Sequence, residues 1–143
     1  MRSVEAFADW RRLVWSPRGM GLILAGFGLI TWVALSIVGG LTAEPSRGLR
    51  EAWDTGAYFW LGVPLMALAV AFAAFVRPRR PWRWPLWLVA GHQLGVLLVG
   101  LGMQSGLSLI LLTIILAVLL AVLFAIPALL GAVARLYLAE RAY

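Results

Sequence analysis

The uncharged stretch from Trp84 to Ala134 constrains the fold more strongly than any other feature of this chain. As one helix it would be roughly 77 Å long at ~1.5 Å per residue, more than twice the ~30 Å thickness of a bilayer's hydrocarbon core. Near its middle, glycines flank a short polar sequence, GMQSG at 102–106. We therefore predict two membrane-spanning helices, at about 84–103 and 107–130, joined by a tight turn.

Two earlier stretches, 19–41 and 55–76, are also uncharged and long enough to cross a bilayer. Apolar residues make up 63% of the chain and charged residues 13%, whereas soluble domains carry roughly 25% charge. Too little polar surface is present to cover a water-soluble globule. The predicted fold class is all-α, a polytopic membrane protein whose four transmembrane helices form a bundle.

A segment before the first span and a tail after the last one complete the predicted organisation. Residues 1–18 are predicted to hold an amphipathic helix that lies in the membrane interface or docks on a partner subunit. Residues 19–134 form the transmembrane domain, and residues 135–143 continue the last helix as a cytoplasmic tail. Pro127 is a candidate position for a kink in that helix.

The distribution of arginine predicts the orientation. Every basic residue is arginine, and lysine and asparagine are absent, a bias typical of GC-rich bacterial genes. Most of the arginines lie before the first span, between the second and third spans, or in the tail. Because cytoplasmic loops carry the excess of positive residues, we expect both termini in the cytoplasm and the chain in a bacterial inner membrane.

The loop between the second and third spans reads RPRRPWRWPLW, at 77–87. Its arginines suit anionic lipid headgroups, and its tryptophans suit the aromatic belt of the interface. Since the loop is short and joined to the bilayer at both ends, nucleic acid is not an expected partner. The predicted headgroup and interface residues are Arg77, Arg79, Arg80, Arg83, Trp82, Trp84 and Trp87.

Small residues recur at helical spacing in the third and fourth spans. Lipid tails are as apolar as leucine, so helices in a bilayer associate through close packing of small residues. We predict tight helix contacts along these ridges, with packing between sequence-adjacent helices favoured over packing between chains. The ridge residues are Gly91, Gly95, Gly102, Gly106, Ala117, Ala121 and Ala125.

The predicted spans contain no Asp, Glu, Lys or Arg, which argues against transporters that need an ionisable group inside the membrane. The chain has no cysteine, so thiolate metal sites and thiol catalysis are excluded. No arrangement of residues matches an enzyme or metal-binding motif, and we expect no catalytic activity. A polar layer near the midplane remains, formed by His92, Gln93, Thr31 and Trp32, with Thr113 somewhat outside it.

Three interpretations of this layer remain open. The polar side chains could be hydrogen-bonding contacts between helices; they could line a path in a homo-oligomeric channel or transporter; or His92 could be the axial ligand of a haem or chlorophyll. The first interpretation predicts a non-catalytic accessory or scaffold subunit without a cofactor, packed within a larger inner-membrane complex. Its expected partners are anionic lipids and other membrane subunits or further copies of the chain.

Overall fold

The computed structural model describes residues 14–42, 52, 56–102 and 107–141, and within them every regular element is helical. Helix α1 is Pro17–Thr42, a π-helical turn Tyr58–Gly62 leads into α2 at Val63–Val76, α3 is Arg83–Gly102, and α4 is Leu107–Glu140. The predicted all-helical fold is confirmed. Three of the described helical stretches, Pro17–Gly39, Tyr58–Val76 and Thr113–Glu140, are long and apolar enough to cross a membrane.

Helix α1 begins with a side-chain cap. The backbone N–H of Gly19 donates to the Ser16 hydroxyl oxygen at 2.9 Å, and the N–H of Met20 donates to the Ser16 carbonyl at 3.0 Å. Pro17 occupies the first helical position, where a missing N–H costs little. The helix therefore starts two residues before the predicted span. Residues 1–13 of the predicted amphipathic segment lie outside the described part of the chain.

The bundle is built from two pairs of parallel helices. Along the α1–α3 contact, Gly21 meets Trp87, Ala25 meets Gly91 and Trp32 meets Gly95, so residue numbers rise together on the two helices. The α2–α4 contact runs the same way, from Ala71 against Gly131 to Phe75 beneath the Arg135 guanidinium. Helices α3 and α4 join the two pairs, and α1 and α2 touch over a smaller area.

The π-helical turn precedes a proline. The N–H of Val63 donates to the Tyr58 carbonyl, five residues back, and the next residue, Pro64, has no N–H to donate. The missing donor therefore falls where the hydrogen-bonding register changes from the π-helix to the α-helix. The wide turn brings two buried residues, Tyr58 and Gly62, against the bundle.

Helix α4 continues without interruption from Leu107 to Glu140 and contains Pro127 in its interior. At ~1.5 Å per residue it is about 50 Å long, which exceeds the hydrocarbon core of a bilayer. The predicted fourth span and residues 135–140 of the predicted tail are thus one helix. Residues 103–106, which hold Gly106 and most of the GMQSG turn, lie outside the described residues, and the structure gives only the backbone of Gly102.

Candidate functional site: a buried aromatic and polar cluster

Three side chains from three helical segments meet at the α1–α3 crossing, and we call them the aromatic cluster: Trp32, Tyr58 and His92. Their exposed fractions are 1%, 3% and 0%. The Tyr58 hydroxyl oxygen lies 2.9 Å from His92 Nε2, in a buried hydrogen bond between the π-helical turn and α3. The Trp32 ring stands edge-on to both partners, with its centroid 4.8 Å from that of His92 and 5.5 Å from that of Tyr58.

Glycine explains why the cluster forms here. A Cβ atom at Gly91 would collide with the Ala25 carbonyl, and one at Gly28 would collide with the Leu88 carbonyl. At Gly95 a Cβ atom would lie 3.1 Å from the Cβ of Trp32. The backbones of α1 and α3 therefore approach closely on both sides of His92. This close approach of the two backbones places the Trp32 ring in contact with the His92 imidazole.

The chemistry available to the aromatic cluster is that of a neutral hydrogen-bonded pair. In one histidine tautomer the Tyr58 hydroxyl donates to Nε2; in the other, Nε2–H donates to the hydroxyl oxygen. Among the described residues the only carboxylate is Glu140, near the exposed end of α4. No charged group of the described chain is therefore positioned to take a proton from this pair, and its hydrogen bond joins the π-helical turn to α3.

Two further polar side chains are buried near the same helices. Gln93 is 9% exposed, and neither its amide oxygen nor its amide nitrogen has a hydrogen-bond partner in the described part of the chain. The Ser36 hydroxyl and His92 Nδ1 also lack partners there. Buried polar atoms are normally hydrogen-bonded. Gln93 is the largest exception among the described residues, since both atoms of its amide lack a partner there.

The predicted polar layer is only partly assembled. Trp32 and His92 are in contact, and Gln93 and Thr113 are buried on α3 and α4. Thr31 is half-buried and faces the π-helical turn beside Gly62, while the partner of His92 Nε2 is Tyr58. Sequence reasoning missed Tyr58 because its position at the start of a predicted span is ordinary for an interfacial aromatic residue. The proline six residues later was the available signal of an irregular turn.

The ridge glycines Gly91 and Gly95 contact a different helix of the chain from the one expected. Gly91 and Gly95 face α1 rather than the sequence-adjacent α4. On α4, Ala117, Ala121 and Ala125 are half-buried, and farther along the helix Gly131 meets the Ala71 carbonyl of α2. Small residues thus form the two parallel pairs, α1 with α3 and α2 with α4.

The arginine-rich loop forms the end of the bundle where α2 stops and α3 starts. The Arg77 guanidinium donates to the Trp15 carbonyl, and the Trp84 indole N–H donates to the Arg77 carbonyl at 3.2 Å. Of the three tryptophans predicted at the interface, Trp82 is 59% exposed, Trp87 lies half-buried against Gly21, and Trp84 is core at 3% exposed. The Trp84 ring is thus a packing element, held there by its indole hydrogen bond.

The residues around His92 do not fit a tetrapyrrole. Nε2 is hydrogen-bonded to Tyr58, the ring is fully buried under Trp32, and the glycines that could admit a flat macrocycle are filled by α1. Binding would require α1 and α3 to separate.

Comparisons with protein-family models, with curated proteins and with solved structures gave no match for this chain. The function must therefore be inferred from the contacts of its own residues.

Proposed function

We propose that the chain is an integral membrane protein with four spans and that α3 crosses the bilayer together with the three more apolar helices. The hydropathy of α3 is lower than that of the other three helices because α3 contains Arg83, His92 and Gln93. The support is its pairing with α1: the two helices are parallel and touch from Gly21–Trp87 to Trp32–Gly95. A helix so paired with a spanning helix occupies the same depth. Its 20 residues are about 30 Å long, which matches the hydrocarbon core.

The proposed orientation has both termini and the 77–87 loop in the cytoplasm of a bacterium, as the arginine distribution predicts. Because the chain has no cysteine, single-cysteine labelling tests it without background. We expect a membrane-impermeant maleimide to label Ser46→Cys and Ser105→Cys in intact spheroplasts, and Arg79→Cys only after permeabilisation. Labelling of Arg79→Cys in intact spheroplasts, with Ser46→Cys and Ser105→Cys labelled only after permeabilisation, would show the opposite topology.

Within the membrane we propose a non-catalytic role, as an accessory or scaffold subunit that packs against other membrane components. The observation that carries this proposal is a set of contacts between the chain's own helices, made by Trp32, Tyr58 and His92. All three are buried, with exposed fractions of 3% or less. A second supporting feature is the outer side of α4, where large apolar side chains remain exposed from Leu111 to Leu138.

Co-purification tests this role. The full-length protein, carrying a tag and expressed at native level in its own host, would be extracted in a mild detergent. The expected result is a stoichiometric larger membrane partner that remains bound through size-exclusion chromatography. Recovery of the protein only as a monomer or as a homo-oligomer that carries solute flux would contradict the accessory role.

A small homo-oligomeric channel or transporter is the second candidate, and the amide of Gln93 favours it. A buried amide without a partner in the described chain is what a water-filled path or an interface between copies would satisfy. In reconstituted vesicles, solute flux that Gln93→Leu abolishes would support this candidate over the accessory role. A Soret or chlorophyll band that depended on His92 would instead support the tetrapyrrole alternative, against which the local packing argues.

A further inference from the structure

A cavity of about 680 Å³ opens at the end of the bundle where α2 stops and α3 starts. All four arginines of the 77–87 loop line it, together with Trp15 and Trp84. Arg77 is committed to the Trp15 carbonyl. The guanidinium groups of Arg79, Arg80 and Arg83 form no ion pair with the only carboxylate of the described residues, Glu140. Three arginines thus border one cavity without a counter-charge in the described part of the chain.

A second, apolar groove of about 310 Å³ lies between α1 and α2. Its walls include Met20 and Phe27 of α1 and Ala69 and Phe72 of α2. It exists because α1 packs mainly on α3 and α2 mainly on α4, which leaves the seam between α1 and α2 loosely filled. Trp15 lines both this groove and the arginine cavity, so the two spaces adjoin at one side chain.

We propose that the cavity and the groove together bind one anionic phospholipid. Its phosphate lies against Arg79, Arg80 and Arg83, and one acyl chain lies between α1 and α2. The planar guanidinium group donates two parallel hydrogen bonds to phosphate oxygens, and the apolar groove excludes water from a hydrocarbon chain. A free phosphate ion shares the first chemistry but leaves the groove empty, so the adjoining groove favours a lipid.

The loop backbone gives this site a defined shape. Arg80 has a φ of 59°, in the left-handed region that non-glycine residues seldom adopt. The loop turns tightly there, with the Arg83 N–H donating to the Arg80 carbonyl and the Trp84 N–H donating to the Pro81 carbonyl, both at 3.2 Å. The three arginines are thereby presented from one short turn rather than spread along an extended segment.

Native mass spectrometry of the full-length protein in mild detergent tests the proposal. We expect one phosphatidylglycerol to be retained per chain, and neither phosphatidylcholine nor inorganic phosphate to displace it. An arginine near an anionic membrane contributes about fivefold in affinity. Replacing Arg79, Arg80 and Arg83 by glutamine should therefore weaken phosphatidylglycerol binding roughly 100-fold. The matched control Arg18→Gln, an exposed arginine of α1 that does not line the cavity, should leave binding unchanged.

The groove is tested separately. Ala69→Phe fills the space between α1 and α2 and should lower lipid affinity at least tenfold, whereas Ala134→Phe, on the exposed end of α4, should not. If Arg18→Gln weakens binding as much as the loop variants, lipid binding depends on the overall positive charge of this face. That result would contradict a specific site at the three cavity arginines. Displacement by inorganic phosphate would show a free-anion site, and equal retention of phosphatidylcholine would also overturn the proposal.

The lipid site rests on the proposed membrane insertion, and carbonate washing of membranes separates the two. A chain that resists carbonate but retains no phosphatidylglycerol contradicts the lipid site and leaves insertion intact. A chain that carbonate releases contradicts both. Since the loop variants change side chains of the loop and of the first residue of α3, they test the site even where Ala69→Phe impairs folding.

Discussion

Tyr58 and His92, separated by 34 positions in the sequence, share a buried hydrogen bond of 2.9 Å. The bond joins the π-helical turn before α2 to α3 and so links the two parallel helix pairs. Trp32 of α1 covers it edge-on. The aromatic cluster thus connects α1, the π-helical turn and α3. The contribution of its hydrogen bond to stability can be measured.

Replacing Tyr58 by phenylalanine should lower the free energy of unfolding by about 1–2 kcal/mol. Interhelical hydrogen bonds in membranes average ~0.6 and reach ~1.7 kcal/mol, and the change also leaves His92 Nε2 buried without its partner. Thermal unfolding in detergent, followed by circular dichroism, gives the value. Tyr137→Phe is the matched control, since Tyr137 is exposed on α4. Equal effects of the two variants would show that the buried bond contributes nothing.

Gly91→Ala should destabilise the bundle by roughly 1–3 kcal/mol, the usual range for overpacking. The added methyl group meets the backbone carbonyl of Ala25, which cannot rotate away, so α1 and α3 must separate. Gly26→Ala is the control, on the partner helix α1. A Cβ at Gly26 meets nothing within 4 Å, so we expect a neutral effect or a gain of up to ~1 kcal/mol from helix propensity. The same unfolding assay compares the two.

The difference between Gly91 and Gly26 also shows where sequence reasoning ends. Uncharged runs of bilayer length identified all four helices, because length and hydropathy are local properties of the chain. Helical periodicity likewise placed Gly91 and Gly95 on one face. It could not say that this face meets α1 rather than α4, because periodicity defines a helix surface and not its partner. Partner choice depends on the fit of opposing surfaces, such as Ala25 against Gly91.

Two members of the aromatic cluster, Trp32 and His92, were predicted from the sequence, and Tyr58 was not. The depth of His92 and Trp32 follows from counting residues along predicted spans. Tyr58 joins them only through the π-helical turn that ends beside Pro64, and the rotation of that turn depends on tertiary packing. Trp84 was predicted at the interface on residue type. The structure adds that its ring is buried at the end of the bundle, with its indole N–H donating to the Arg77 carbonyl.

Gln93→Leu tests whether the buried amide has a partner outside the described residues. If the amide has no partner, as in the described chain, removing a buried unsatisfied polar group should leave stability unchanged or raise it by about 1 kcal/mol. His92→Leu should instead destabilise, because it leaves the Tyr58 hydroxyl buried and unpaired. Unfolding and oligomer mass would be measured for both variants. A loss of stability or of an oligomer in Gln93→Leu would indicate that water or a second chain binds the amide.

Arg80→Gly should raise the free energy of unfolding while weakening the lipid site. Arginine at φ 59° pays a steric cost of ~1–2 kcal/mol that glycine avoids, whereas glycine costs more conformational entropy on folding. The expected net gain is therefore about 0.5–1 kcal/mol, with roughly fivefold weaker phosphatidylglycerol binding. Arg79→Gly is the control, because Arg80 is the only non-glycine residue with positive φ in the described chain. It should lose lipid affinity to a similar extent without gaining stability, and a gain in both variants would rule out backbone strain at Arg80 as the cause.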